Sequence, residues 1–210
     1  MALEATHMRF AMDLKDKYQV KDLDEYISGS IYPDSRYITK IDRELTHPKD
    51  YMEWEILKLD DFKKGWHTHL LCDDLQRRIF REQKTEIFTD DYIRFGPTWV
   101  RQTTLKVLQD QDDLRHFDIL TCLQRLECVE MPNGENMETV KAYNQIFIRE
   151  YHNPKSFNLD NSDRIGLALG IEEDIVRKIR NQSEEYLKDE SMMNFVHGIY
   201  NQMLERALSL

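Results

Sequence analysis

The chain has 210 residues, 40% of them hydrophobic and 32% charged, with a formal net charge of −10. That length suits one domain able to bury a core without disulfide or metal staples, and the balance is that of a globular rather than a disordered protein. Its Gly 7 and Pro 5 argue against a many-turned β protein, and no apolar run approaches the ~18 residues of a membrane span.

Met1 to Leu14 has no cationic stretch followed by an apolar block, so no signal peptide is expected. The spacing of Met8, Ala11, Met12 and Leu14 predicts a helix over about Thr6 to Tyr18. A short helix follows from its cap Asp22 to Ile31, broken by Gly29, Ser30 and Pro33, and Tyr32 to Arg36 reads as a turn. Ile38 to Trp54 is ambiguous, and Pro48 ends whatever precedes it. Asp60 to Glu82 is the strongest helix. It opens on Asp60-Asp61, holds no Pro, and Gly65 weakens it locally by up to ~1 kcal/mol against Ala.

Further helices are expected over Pro97 to Leu108, Ile119 to Val129, Met137 to Tyr151, Glu172 to Leu187 and Ser191 to Leu208. Pro132-Asn133-Gly134 and Asn153-Pro154 are the clear breaks. Lys84 to Phe88 has some support as a short extended piece. No repeat of ~20–50 residues divides the chain. The fold expectation is all-α: a helical bundle with a metal site between helices. Residues 1–157 would be the metal-binding domain, and 158–210 a C-terminal helical extension packed on it.

Cys72, Cys122 and Cys128 are odd in number and scattered, with no CxxC among them, which suits free thiols in a reducing cytoplasm and excludes a thiolate zinc knuckle. The acidic balance does not favour double-stranded nucleic acid or an anionic membrane as a partner. It leaves room for a small phosphate-bearing substrate held by metal and a few Arg or Lys.

The chemistry concentrates in Gly65-Trp66-His67-Thr68-His69-Leu70-Leu71-Cys72-Asp73-Asp74. His69 and Asp73 lie four apart, so their side chains meet on one helix face, which Phe62 and Trp66 continue as an apolar surface. A buried carboxylate is costly unless it is paired or binds a metal. An imidazole with a carboxylate suits zinc, manganese or iron. Two further ligands complete a tetrahedron: Asp34 in the Pro33-Asp34 turn, and His47, which Pro48 pins in an extended geometry. Each part also has a purely structural reading. His69 and Asp73 could be a bonded pair in a core, and Asp34 and His47 ordinary turn residues. His67 points to another side of the helix, as a supporting or surface residue. Arg36, two residues after Asp34, is placed to meet an anion.

The run of His7, Gly29-Ser30-Ile31-Tyr32-Pro33-Asp34, Thr46-His47 and His69-Leu70-Leu71-Cys72-Asp73 resembles the zinc-dependent phospholipase C family, which shares a helical multi-zinc scaffold with P1-type nucleases. The resemblance covers about the first third of the chain. It implies an all-α fold and phosphoester hydrolysis. Carried over, Asp34, His47, His69 and Asp73 match the family's central zinc site, Asp73 is the candidate bridge to a neighbouring zinc, and His7 matches a ligand of that neighbour. The chain departs from the family in three ways. It has Met1 where the secreted enzymes expose a Trp amine, it has no cleavable signal, and no clean His and Glu ligands follow Asp73. The nearest acidic-His cluster there is His116 with Asp112 or Asp113. One or two metals are therefore expected rather than three.

The functional expectation is a metal-dependent phosphoester hydrolase, with Asp34 as ligand or general base and Arg36 as a phosphate clamp. The alternative is a helical module whose metal is structural or vestigial and which acts through protein partners.

Overall fold

Side-chain caps decide where several of the long helices begin. The Asp22 carboxylate accepts from the Asp24 and Glu25 N–H groups, Asp60 from Lys63, Asn136 from Thr139 and Asp189 from Met192, each satisfying a donor that has no intrahelical partner. The computed structural model describes residues 3–84, 93–126 and 130–210. In chain order its helices are α1 (Glu4–Leu14), α2 (Leu23–Ile31), α3 (Arg36–Thr39), α4 (Arg43–Thr46), α5 (Asp61–Gln83), α6 (Pro97–His116), α7 (Leu120–Leu123), α8 (Met137–Tyr151), α9 (Leu159–Ala168), α10 (Glu173–Tyr186) and α11 (Glu190–Ser209). Short 3-10 turns cover Tyr32–Ser35, Tyr51–Glu53, Ile56–Lys58 and Pro154–Ser156. The described residues are all-helical and pack as a bundle, as composition and periodicity require. Among them, no helix is long and apolar enough to cross a membrane.

The long α5 is the spine. It packs against α1, α2 and α11, while α6 packs against α1, α10 and α11. One core joins Phe10 and Leu14 of α1, Tyr26 and Ile27 of α2, Ile79 and Phe80 of α5, Leu105 of α6, Phe147 of α8 and Val196 and Met203 of α11.

The closest approach is between α2 and α5. A Cβ at Gly29 would lie 2.0 Å from the Phe62 carbonyl oxygen, and one at Gly65 would lie 2.0 Å from that of Tyr26. Both glycines sit inside their helices. They are there because two backbones cross in contact and leave no room for a side chain, rather than as a breaker and a weak point.

Elsewhere the boundaries shift for identifiable reasons. α1 starts at Glu4 and stops at Leu14, where the chain turns through Gln19 at φ 52. α6 continues past Leu108 to His116, because the polar run that reads as solvated is buried and bonded: Asp110 accepts from the Thr6 N–H at 3.0 Å and from the Tyr151 hydroxyl at 2.7 Å. The expected helix from Ile119 is helical only over Leu120–Leu123, and residues 127–129, Cys128 among them, lie outside the described residues. So do residues 85–88 of the expected extended piece. α9 was not anticipated, although Asn158 and Asn161 form the reciprocal cap that announces it.

Candidate metal centre

Five side chains from four segments converge at one end of the α2–α5 crossing. His69 and Asp73 project from one face of α5 and His7 comes from α1. Asp34 sits in the 3-10 turn that Pro33 opens after α2, and His47 is the residue that ends α4. His47 leaves the helix at φ −129, ψ 64, the non-helical geometry that a following proline enforces. The Trp66 indole N–H donates to the Thr46 carbonyl at 2.8 Å and ties that loop to α5. Exposure is 0% at His7, 1% at Asp34, 8% at His47, 0% at His69 and 3% at Asp73.

The separations are those of a ligand shell. His47 Nε2 is 3.7 Å from Asp34 Oδ1 and 3.9 Å from Asp73 Oδ2. His69 Nε2 is 4.0 Å from Asp73 Oδ2, and His7 Nε2 is 3.7 Å from Asp73 Oδ1. His7, Asp34 and His69 offer donor atoms all within 4.8 Å of one another, as do His47, His69 and Asp73. Donors ~2.1 Å from one ion lie ~3.0 to 4.2 Å apart. Each of these two groups, which share His69, is therefore spaced close to what one divalent ion would require. The His7 and His69 rings stack, with centroids 3.7 Å apart.

Hydrogen bonds select the tautomers. His69 Nδ1 lies 2.9 Å from the Ser30 carbonyl, which only accepts, so Nδ1 carries the proton and Nε2 presents a lone pair. The Thr46 hydroxyl donates to the Arg43 carbonyl at 3.3 Å and so accepts from His47 Nδ1–H at 2.9 Å, which again leaves Nε2 as a lone pair. Both imidazoles are thus oriented from behind in the manner of metal-ligating histidines. In front, His47 Nε2, His69 Nε2, Asp34 Oδ1 and both His7 ring nitrogens are buried without a hydrogen-bond partner. Leaving so many polar atoms unsatisfied is expensive, and a cation between them removes the penalty.

The protonation states suit that role. Burial, then the neighbouring His69, pushes His47 down to about 2 and His7 well below the ordinary imidazole value, keeping both neutral. Burial raises the Asp34 carboxyl. Burial acts the same way on Asp73, but nearby positive charge outweighs it and holds that carboxyl well below the usual range.

The other expected residues distribute as follows. Arg36 lies beside the centre, with Nε 4.0 Å from Asp34 Oδ1 and its guanidinium 4.4 Å from the Tyr37 ring centroid. His67 is buried away from the donors, in an aromatic nest of Tyr18, Tyr51 and Trp54. His116 is 3.8 Å from Asp112, whose closer partner is His197 of α11 at 2.8 Å, so this cluster fastens α6 to α11. Cys72 is fully buried and its thiol is pushed well up by burial, which makes it inert.

Two charged residues escaped the sequence reading. Buried Glu4, one turn before His7, accepts from the Tyr143 hydroxyl at 2.7 Å and leaves Oε2 without a partner. Half-buried Lys106 of α6 feels the charges of both Asp73 and Asp34. Glu4 was signalled by its i,i+3 relation to His7, whereas nothing in the local sequence marks Lys106. Comparison with protein-family models, with curated proteins and with solved structures finds no match to this chain.

Proposed function

We propose that the protein is a metal-dependent hydrolase of a phosphoester, with zinc, or else manganese or iron, held by His7, Asp34, His47, His69 and Asp73. The reading is carried by one observation: the donor atoms of His47, His69, Asp34 and His7 are buried, lie close together and have no hydrogen-bond partner. The residues quoted above for the likeness to zinc-dependent phospholipases C supply the reaction class. A divalent metal held here supplies Lewis acidity, which lowers the pKa of water and polarises a phosphoryl oxygen. In the role of general base rather than ligand, Asp34 takes the proton of the attacking water, and burial, by raising this carboxyl, makes it the better base. Arg36 binds a non-bridging oxygen and orients the ester. Water oxygen bonds to phosphorus as the P–O bond to the alcohol breaks, the leaving alkoxide takes a proton from solvent water, and Asp34 returns its proton to solvent.

The test is hydrolysis of bis-para-nitrophenyl phosphate, para-nitrophenyl phosphate and a phosphocholine ester, with each metal supplied in turn. Metal-dependent turnover is expected, and Asp34→Asn abolishes it. Arg36→Ala raises KM more than it lowers kcat if the clamp holds ground and transition state alike. Turnover that persists in Asp34→Asn contradicts the assignment.

The burial of every donor favours a second reading, a closed structural site in a module that works through protein partners. Absence of metal-dependent turnover on all the esters selects it.

A further inference from the structure

We infer that residues 41–59 form a strap over the metal centre that swings open to admit or release the ion, and that the hydrogen bond from the Trp66 indole to the Thr46 carbonyl is its latch. The inference rests on the metal reading and names how that site is gated.

The donors are sealed. None of His7, Asp34, His47, His69 and Asp73 is more than 8% exposed, so a hydrated ion reaches them only if one wall moves. The walls differ in how firmly they are held. His7, His69 and Asp73 stand on α1 and α5, two helices of the apolar core. The turn Tyr32–Ser35, which carries Asp34, is buried throughout. His47 comes from a segment of another kind. Among residues 41–59 only Thr46 and His47 are buried. The segment holds α4 and two 3-10 turns, and its apolar Leu45, Met52 and Leu57 are exposed at 53%, 49% and 62%. A stretch with so little apolar burial opens more readily than the helices beneath it.

The attachments define the movement. The Thr46 carbonyl accepts from the Trp66 indole N–H at 2.8 Å, and the Thr46 hydroxyl lies 2.9 Å from His47 Nδ1, so latch and ligand are adjacent residues. Tyr51 and Trp54 rest, partly buried, on the group that holds Phe62 and Trp66, with the Trp54 and Trp66 ring centroids 5.9 Å apart. At one end of the strap Lys40 is held at φ 62, a costly conformation for a residue with a Cβ, and rotation away from it supplies a hinge. At the other end Asp60 accepts from the Lys63 N–H at 2.7 Å and fixes the start of α5. His47 Nε2 lies 3.7 Å from Asp34 Oδ1 and 3.9 Å from Asp73 Oδ2. An ion shared by these atoms ties the strap to the turn after α2 and to α5, so metal binding closes it.

The experiment uses the full chain, with zinc content measured first. Zinc release is timed at rising chelator concentration, and hydrogen exchange of the strap amides is followed with zinc and with chelator. Release should level off at high chelator, at a rate above that of global unfolding, because opening of the strap limits it. Zinc should slow exchange of the His47 amide, which donates to the Arg43 carbonyl at 2.8 Å, about tenfold or more. Trp66→Phe keeps a ring and removes the N–H. It should raise the levelled release rate about fivefold or more and speed His47 exchange in chelated protein, leaving the amides of α11 as in the parent. Release that keeps rising with chelator or runs no faster than unfolding, a His47 amide indifferent to zinc, or a Trp66→Phe variant that releases zinc like the parent overturns the inference. If Trp66→Phe does not fold, the release curve of the parent and its His47 exchange decide. A chain that takes up no zinc overturns the metal reading and this inference together, and the zinc content reveals it before any exchange is measured.

Discussion

Burial works against the charge on Asp34, a cost that a cation bound as proposed would offset. Its carboxyl is raised by burial, with Asp73 adding to the effect, so folding disfavours its charged form. Such a group stabilises the fold fully below its unfolded value of 3.8, and that contribution is lost as pH rises through the raised folded value. Asp34→Asn should therefore raise the melting temperature of chelator-treated protein at pH 7, by ~1 kcal/mol in stability. The gain should shrink as pH falls toward the unfolded value, and the same substitution should remove metal binding. Thermal melts with chelator at the two pH values check this, and a destabilised Asn variant at pH 7 contradicts it. The two histidines of α5 separate binding from packing. His69→Ala should strip the metal, while His67→Ala should keep it and lose about 2 kcal/mol of stability from the cavity left among Tyr18, Tyr51 and Trp54. Equal metal loss in the two folded variants would contradict the assignment.

At the scale of elements, the glycine crossing of α2 and α5 sets the geometry of the centre. It brings the Ser30 carbonyl against His69 Nδ1 and so fixes the ring that faces the other donors. Gly65→Ala would drive a methyl into the Tyr26 carbonyl, with no flexible side chain able to yield. A loss of ~3 kcal/mol is expected from overpacking of this kind. Metal affinity should fall with it, because the His69 ring loses its support. Denaturant melts and metal titration of the variant check both, and a variant as stable as the parent sinks the argument.

The same elements show what was legible in the chain. The His69–Asp73 spacing, the Pro33-Asp34 turn and His47 before Pro48 each carry a local signal, and the structure brings all three together. The caps Asp22 and Asp60 marked the starts of α2 and α5. What was not legible depends on partners distant in sequence. Gln109 to Asp113 reads as a solvated end of α6 until α1 and α8 supply Thr6, Arg9 and Tyr151 as partners. The role of the two glycines appears only when the helices cross.

For the molecule as a whole, the centre joins α1, the turn after α2, the loop after α4, and α5, so a metal bound as proposed would tie two loop segments to two helices of the core. Ligand linkage at about a thousandfold excess over Kd contributes ~4 kcal/mol. For a chain of this size that corresponds to a rise of ~10 °C in melting temperature between chelated and zinc-loaded protein. An unchanged melting curve would show that folding and metal binding are uncoupled. The central claim is that His7, Asp34, His47, His69 and Asp73 hold a metal, and the most direct test is a crystal structure of protein purified without chelator, with anomalous scattering measured at the metal edge. The account predicts about one ion per chain, with Nε2 of His47 and of His69 ~2.1 Å from it. No anomalous peak at these residues after incubation with zinc, manganese and iron, or a peak located elsewhere, would contradict it.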